Sequence, residues 1–208
     1  MNIKHNGFAS KYIREVCEIT KRLDLYSIEK VARILSETRK SSGRLFIIGI
    51  GGSAANASHA VNDFRKIAGF EAYAPTDNTA ELTAHTNDVG WDSVFESWLK
   101  TSRLRPNDAL LIFSVSGGNP TKRMSLNLVK AIKYAKRTGS KTLSVVGDPK
   151  GYAAQHVDES IVIPIVNPEN VTPHSEAFQG IIWHLLVSHP LLNVNPNRWE
   201  TRIKPATL

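Results

Sequence analysis

The sequence predicts an α/β fold, a doubly wound parallel sheet of about five strands flanked by helices. Three observations carry this. Short apolar runs recur at RLFIIG (44–49), ALLIFS (109–114), KTLSVVG (141–147) and SIVIPI (160–165), too continuous for strands with one solvated face. Stretches of helical periodicity separate them. The runs at 44–49 and 109–114 end in glycine- and serine-rich loops that lead into helices, as in parallel sheets whose ligands bind beyond the strand ends.

Two helices are predicted ahead of the first strand. In 10–23, Ile13, Val16, Cys17 and Leu23 recur near helical spacing. In 27–42, Ile28, Val31, Ala32 and Leu35 follow i, i+3, i+4, i+7, with Ser27 as the N-cap. A helical pair placed there offers apolar surface to its own domain or to a second copy of the chain. After the strand at 44–49 and its glycine turn, a helix is expected from Ser53. FEAYA (70–74) reads as the second strand and 80–102 as mostly helical, with Pro106 beyond it. The strand at 109–114 leads to a helix over 122–137 that closes near Gly139. Strands at 141–147 and 160–165 follow, and the last helix runs from about Pro173 to Ser188, before Pro190. The chain is expected to form one domain over 1–208: N-terminal helices at about 8–42, an α/β core at about 43–190, and a tail at 191–208.

With 208 residues, 41% of them apolar and 22% charged, the chain can bury a core and is neither disordered nor fibrous in composition. No apolar run approaches the roughly 18 residues of a membrane span. MNIKHNGFASKYIREV at the start has no apolar segment of the secretory kind. The single cysteine, Cys17, leaves no internal disulfide, and a cytoplasmic location is expected. The net charge of +7 suits an anionic partner. Its cations are scattered among acids, without a recognition helix or aromatic cluster, which favours a small phosphorylated substrate over nucleic acid.

Two loops bear on that substrate. GIGGSA (49–54) formally matches the G-x-G-x-x-A dinucleotide fingerprint. That fingerprint also wants an acid roughly 20 positions on, at the end of the second strand. Glu71 falls at that strand's start and Asp77 past its end, so a nicotinamide cofactor is the lesser reading. In SVSGGNPT (114–121), Ser114, Ser116, Asn119 and Thr121 bring hydroxyls and an amide to a strand end that opens a helix. Glycines admit backbone N–H groups, serines donate, and a helix N-terminus adds partial positive charge. The alternative is a polar turn that merely caps its helix.

Four side chains are candidate metal ligands. His59 and Asp63 share a helix face at i, i+4. Glu176 and His184, at i, i+8, share another. Were both helices to flank one cleft, the four would suit Zn²⁺, although Fe²⁺, Mn²⁺ or Ni²⁺ accept the same donors. Solvated helix faces also carry such pairs without an ion. His85, His174 and His189 are expected on the surface or in loops, the first two in segments that border the cleft.

GIGGS (49–53), SHAVNDF (58–64), LTAHTNDVGW (82–91), SVSGGN (114–119) and TPHSEAFQGIIWHLL (172–186) resemble, in that order, the motifs of the phosphoheptose isomerases of the sugar isomerase (SIS) domain superfamily. The likeness spans about residues 10–190. It implies a five-stranded parallel sheet and a homotetramer with its N-terminal helices in the oligomer core and its sites between subunits. It also implies conversion of sedoheptulose 7-phosphate to D-glycero-D-manno-heptose 7-phosphate. By the same resemblance, zinc ligands fall on His59, Asp63, Glu176 and His184. Phosphate contacts fall on Ser53, Ser114 and Ser116, with Asn119 and Thr121 beside them, and a substrate contact falls on Asp88. The sequence departs from the pattern at Asp63, where the family has glutamate, and at Glu176, where it has glutamine. It departs again at Ile50 and at Val115, which replaces a hydroxyl.

Ketose–aldose isomerisation moves a proton between C1 and C2 through an enediol, which a carboxylate and an imidazole can serve. Asp63 is the expected base and His184 the expected acid, with a metal polarising the carbonyl. An isomerase of another sugar phosphate, or a non-catalytic SIS module that binds one, are the alternatives.

Overall fold

In the computed structural model, whose described residues are 7–195, helices α1 (Phe8–Arg22) and α2 (Leu25–Lys40) precede strand β1 (Leu45–Ile48). Next come α3 (Gly52–Lys66), β2 (Ala72–Tyr73), α4 (Thr79–Val89), α5 (Val94–Thr101) and β3 (Ala109–Ser114). The chain continues through α6 (Leu126–Thr138), β4 (Lys141–Val146), α7 (Tyr152–His156), β5 (Glu159–Val162) and α8 (Val171–Ser188). Most of the tail expected at 191–208 lies outside the described residues.

Every strand pairing is parallel, and the order is β2-β1-β3-β4-β5. This is the expected doubly wound sheet. Its winding reverses between β1 and β3, so the ligand-binding crevice belongs where their C-terminal loops diverge. Leu45, Ile47, Leu111, Phe113 and Val145 point to the side covered by α2, α3 and α8. Phe46, Ile48, Leu110, Ile112 and Val146 point to the side covered by α5 and α6. Two covered faces explain why the strands read as continuous apolar runs.

A buried ion pair aligns the starts of the two central strands. Asp108, 1% exposed, accepts from the backbone N–H groups of Arg44 and Arg105, both at 2.8 Å, and from Arg44 Nη2 at 2.8 Å. Arg44 precedes β1 and Asp108 precedes β3.

The structure corrects several boundaries. The helix expected from 122 begins at Leu126, because Asn119 and Met124 exchange both backbone hydrogen bonds and Asn119 Oδ1 accepts from the Lys122 N–H at 2.9 Å. An Asn side chain that bonds the backbone locally favours a turn over a helix. The helical stretch at 80–102 is split by Gly90, whose φ of 78° ends α4. Asp24, not Ser27, caps α2, accepting from the Tyr26 N–H at 2.9 Å, while Ile28, Val31, Ala32 and Leu35 are buried as expected.

Helix α1 packs Val16 and Leu23 on the core as expected but departs from its expected face elsewhere. Ile13 is 60% exposed and Cys17 is exposed, while Glu15 and Ile19 are buried. Burial of a carboxylate is tolerable only with full hydrogen bonding. Asn167 Nδ2, Asn170 Nδ2 and His174 Nε2 each donate to Glu15 at 2.8 Å. His174, expected at the surface, is therefore 3% exposed in the first turn of α8. The His174 hydrogen bond, then that from Asn170, lowers the Glu15 pKa from 4.5 to about 2. A depressed carboxylate pKa gives stability that is whole above pH 4.5 and is lost as pH falls towards 2. Thermal unfolding of wild type and Glu15→Gln should therefore differ most above pH 4.5 and converge as the solution approaches pH 2.

Candidate active site

Helices α3 and α8 lie side by side, running the same way. Near their starts, Asn56 Nδ2 donates to Glu176 O and Gln179 Oε1, both at 2.9 Å, and Gln179 Nε2 donates to buried Ser53 Oγ at 3.0 Å. Further along, Trp183 Nε1 donates to Asp63 Oδ2 at 3.3 Å. This packing gathers His59, Asp63 and His184, whose donor atoms all lie within 4.8 Å of one another. Asp63 Oδ2 is 3.6 Å from His59 Nε2 and 3.5 Å from His184 Nε2. The other carboxylate oxygen accepts from Asn62 Nδ2 at 2.9 Å. His184 Nδ1 donates to Gly180 O at 2.7 Å, which leaves Nε2 as the nitrogen facing Asp63.

The two distances from Asp63 Oδ2 fit a metal, while the imidazole nitrogens lie within 4.8 Å of each other. Zinc with four bonds of about 2.1 Å sets its ligand atoms about 3.4 Å apart. Two imidazoles and a carboxylate with an open fourth position is also a pattern of catalytic zinc.

Glu176 stands outside that group. Its carboxylate packs onto Gly52, at the start of α3, with Oε2 2.5 Å from where a Cβ on that glycine would lie. The i, i+8 spacing puts Glu176 and His184 on one face but about 12 Å apart along the axis. Glu176 instead borders the loop between β1 and α3.

The loop after β3 supplies a second wall. Ser114 Oγ accepts from the Gly117 N–H at 2.9 Å and Ser116 Oγ from the Gly118 N–H at 3.4 Å, so each hydroxyl keeps its own O–H to donate. Gly117 and Gly118 have φ of 69° and 82°, a left-handed pair open to glycine without strain. The loop's carbonyls are taken from behind. Val115 O accepts from Gly147 and Asp148, Gly117 O from Ala153, and Gly118 O from Tyr152. Ser116 O lies so close to Gly151 that no side chain fits there. Carbonyl oxygens are thus turned away, as an anion site requires.

Asn119 and Thr121 belong to the turn that precedes α6, with Thr121 exposed. Ser125 takes the N-cap position of α6 at φ 49°, with no capping bond from its side chain. Gly118 lies beside it: a Cβ there would be 3.2 Å from Ser125 O. Sequence reasoning missed Ser125, although a serine before the periodic run LNLVKAI is an N-terminal signal. Gln179, Asn56 and Trp183 were missed too, as polar links between helices. Asp88 is exposed near the end of α4, takes a hydrogen bond from Asn87 Nδ2 at 2.9 Å, and shares none with α3, α8 or the β3 loop among the described residues. His85 Nδ1 lies 3.0 Å from Ser97 Oγ, and half-buried His189 lies 3.2 Å from Glu29. A cavity of about 400 Å³ bounded by Arg44, Phe46, Tyr73 and Trp98 lies on the other side of β1 and holds none of the predicted site residues. Among the described residues, no helix is long and apolar enough to cross a membrane.

Residues 10–147 match the SIS domain family. The phosphoheptose isomerase of Chlorobaculum parvum is 34% identical over 160 residues, covering 74% of this chain and 73% of the relative. That of Aliarcobacter butzleri is 30% identical over 175 residues, covering 82% and 84%. The structure of phosphoheptose isomerase from Neisseria gonorrhoeae has a TM-score of 0.74 at 25% identity, covering 86% of this chain and 92% of that one. The Vibrio vulnificus NanR protein complexed with ManNAc-6P shares the fold at a TM-score of 0.62 and 14% identity, covering 86% and 59%. By sequence over three quarters of its length and by the architecture of its sheet, this chain belongs to the phosphoheptose isomerases of the SIS domain family, which are aldose–ketose isomerases.

Proposed function

We propose that the chain converts sedoheptulose 7-phosphate to D-glycero-D-manno-heptose 7-phosphate, with the phosphate held at the switch point and the chemistry performed between α3 and α8. The observation that carries this is the group His59, Asp63 and His184 on the helix pair that also begins at buried Ser53. Ser53, Ser114 and Ser116 bind the phosphate, with Ser125, Asn119 and Thr121 at the entrance to α6. Asp88 contacts the sugar.

His59, Asp63 and His184 hold a divalent metal, zinc by donor type, without requiring Glu176 as a fourth ligand. A metal held there would polarise the substrate carbonyl and stabilise negative charge on its oxygen. Asp63 would take the proton from C1 through Oδ2 once the substrate displaces that oxygen from the metal, exchange it with solvent, and deliver a proton to C2. His184 Nε2, displaced likewise, would move the proton between the substrate oxygens, its ring held by the Nδ1–H bond to Gly180 O.

Exposed apolar side chains support an assembly. Phe8, Ile13, Leu25 and Tyr26 on the N-terminal helices, and Ile181 and Leu185 beside His184, are left for other copies of the chain. We propose a cytoplasmic homotetramer with sites between subunits, which sedimentation velocity tests: a monomer contradicts it. Gly151→Ala, whose Cβ collides with Ser116 O, should displace the serine loop and weaken phosphate binding about tenfold, read by ³¹P NMR titration.

The function is tested by metal analysis joined to an NMR screen of C5 to C7 ketose phosphates. Stoichiometric metal and fastest turnover of the C7 substrate are expected. Saturable phosphate binding without turnover of any ketose would indicate a sensing module.

A further inference from the structure

We propose that Glu15 is a positioning residue for the candidate site: reaching from α1, it fixes the first turn of α8 and so the place of Trp183 and His184 against α3. This rests on the reading of α3 and α8 as the active-site pair. Glu15 and Ile19 are the buried residues of α1, with Val16 packed on the core beside them, so the carboxylate is one of few anchors of this helix. Its three donors all come from the entry to α8. Asn170 occupies the N-cap position of that helix and makes no capping bond, while its Nδ2 donates to Glu15. Glu15 thus gathers side chains from the entry and first turn of α8, its negative charge near the positive end of that helix.

Among the described residues, the His174 ring has no other polar anchor. Its Nδ1 is buried without a partner, its Nε2–H is held by Glu15, and Tyr12 of α1 lies against it with ring centroids 4.4 Å apart. Further along the same helix, the links to α3 have little slack. Trp183 Nε1 reaches Asp63 at 3.3 Å and His184 Nε2 reaches it at 3.5 Å. A small rotation of α8 would break the first and open the donor group.

Two readouts separate positioning from mere stabilisation: the indole N–H NMR signal of Trp183, assigned with Trp183→Phe, and affinity for Co²⁺. In Glu15→Gln, the new amide meets the Asn167 amide donor to donor. The indole signal should move, and Co²⁺ should bind about tenfold more weakly. Glu15→Gln with Asn167→Asp reverses that contact, the amide introduced on α1 now donating, and should restore both. Should Glu15→Gln not fold, Asn170→Ala serves in its place, with the same shifts expected. An indole signal and Co²⁺ affinity unchanged in a folded variant would overturn the inference alone. Wild type that fails to bind Co²⁺ would defeat the metal reading, and the indole signal would still decide the role of Glu15.

Discussion

Asp63→Asn is expected to lower kcat on the heptose phosphate by about 10²–10⁴-fold, the range for loss of a general base, and to strip the site of metal. Asp63 is 7% exposed, and both oxygens are committed. One accepts from Asn62 and the other from Trp183 while facing both imidazoles. An amide of the same shape cannot serve both sides, since its NH₂ must confront either the Asn62 amide or the Trp183 N–H. Glu176→Gln is the informative comparison. Its carboxylate lies at Gly52, apart from the donor group, so the smaller loss is expected there. Steady-state kinetics with metal content measured on the same samples checks both. The opposite ranking would transfer the base to Glu176.

Asp108→Ala is expected to destabilise the fold by about 3–5 kcal/mol, the cost of breaking a buried ion pair from one side. The loss has specific causes. The backbone N–H groups of Arg44 and Arg105 lose their acceptor, and the Arg44 guanidinium keeps only the carbonyls of Ser102 and Arg103. For a chain of this length that corresponds to a melting temperature lower by about 6–20 °C, measurable by calorimetry. The pair sits at the starts of β1 and β3, whose far ends carry both predicted loops, so phosphate affinity should fall with stability.

The fold was legible because the determinants of a covered parallel sheet are local and repetitive. The strands at 109–114 and 141–147 and the apolar stripe of α2 follow from side-chain pattern alone. Helix α1 was legible as a helix, but its buried carboxylate was not. Periodicity assigns a glutamate to solvent, whereas the partners that bury Glu15 lie 152 to 159 positions away. The same long-range bond hid His174 among the surface histidines. At the site, i, i+4 spacing on α3 correctly put His59 and Asp63 together. What no spacing could show is how two helices more than a hundred residues apart align. That alignment brought His184 to Asp63 and left Glu176 at the first turn of α3. Asn119 was read as the approach to a helix, but its side chain closes a turn. This moved the helix start to Leu126 and left Thr121 exposed.

The most direct measurement is hydrogen exchange into substrate. Metal-loaded protein incubated with sedoheptulose 7-phosphate in D₂O should place deuterium on C1 of recovered ketose and on C2 of the aldose product, and Asp63→Asn should abolish both. Absence of deuterium from every sugar phosphate offered to the metal-loaded wild type would contradict the account.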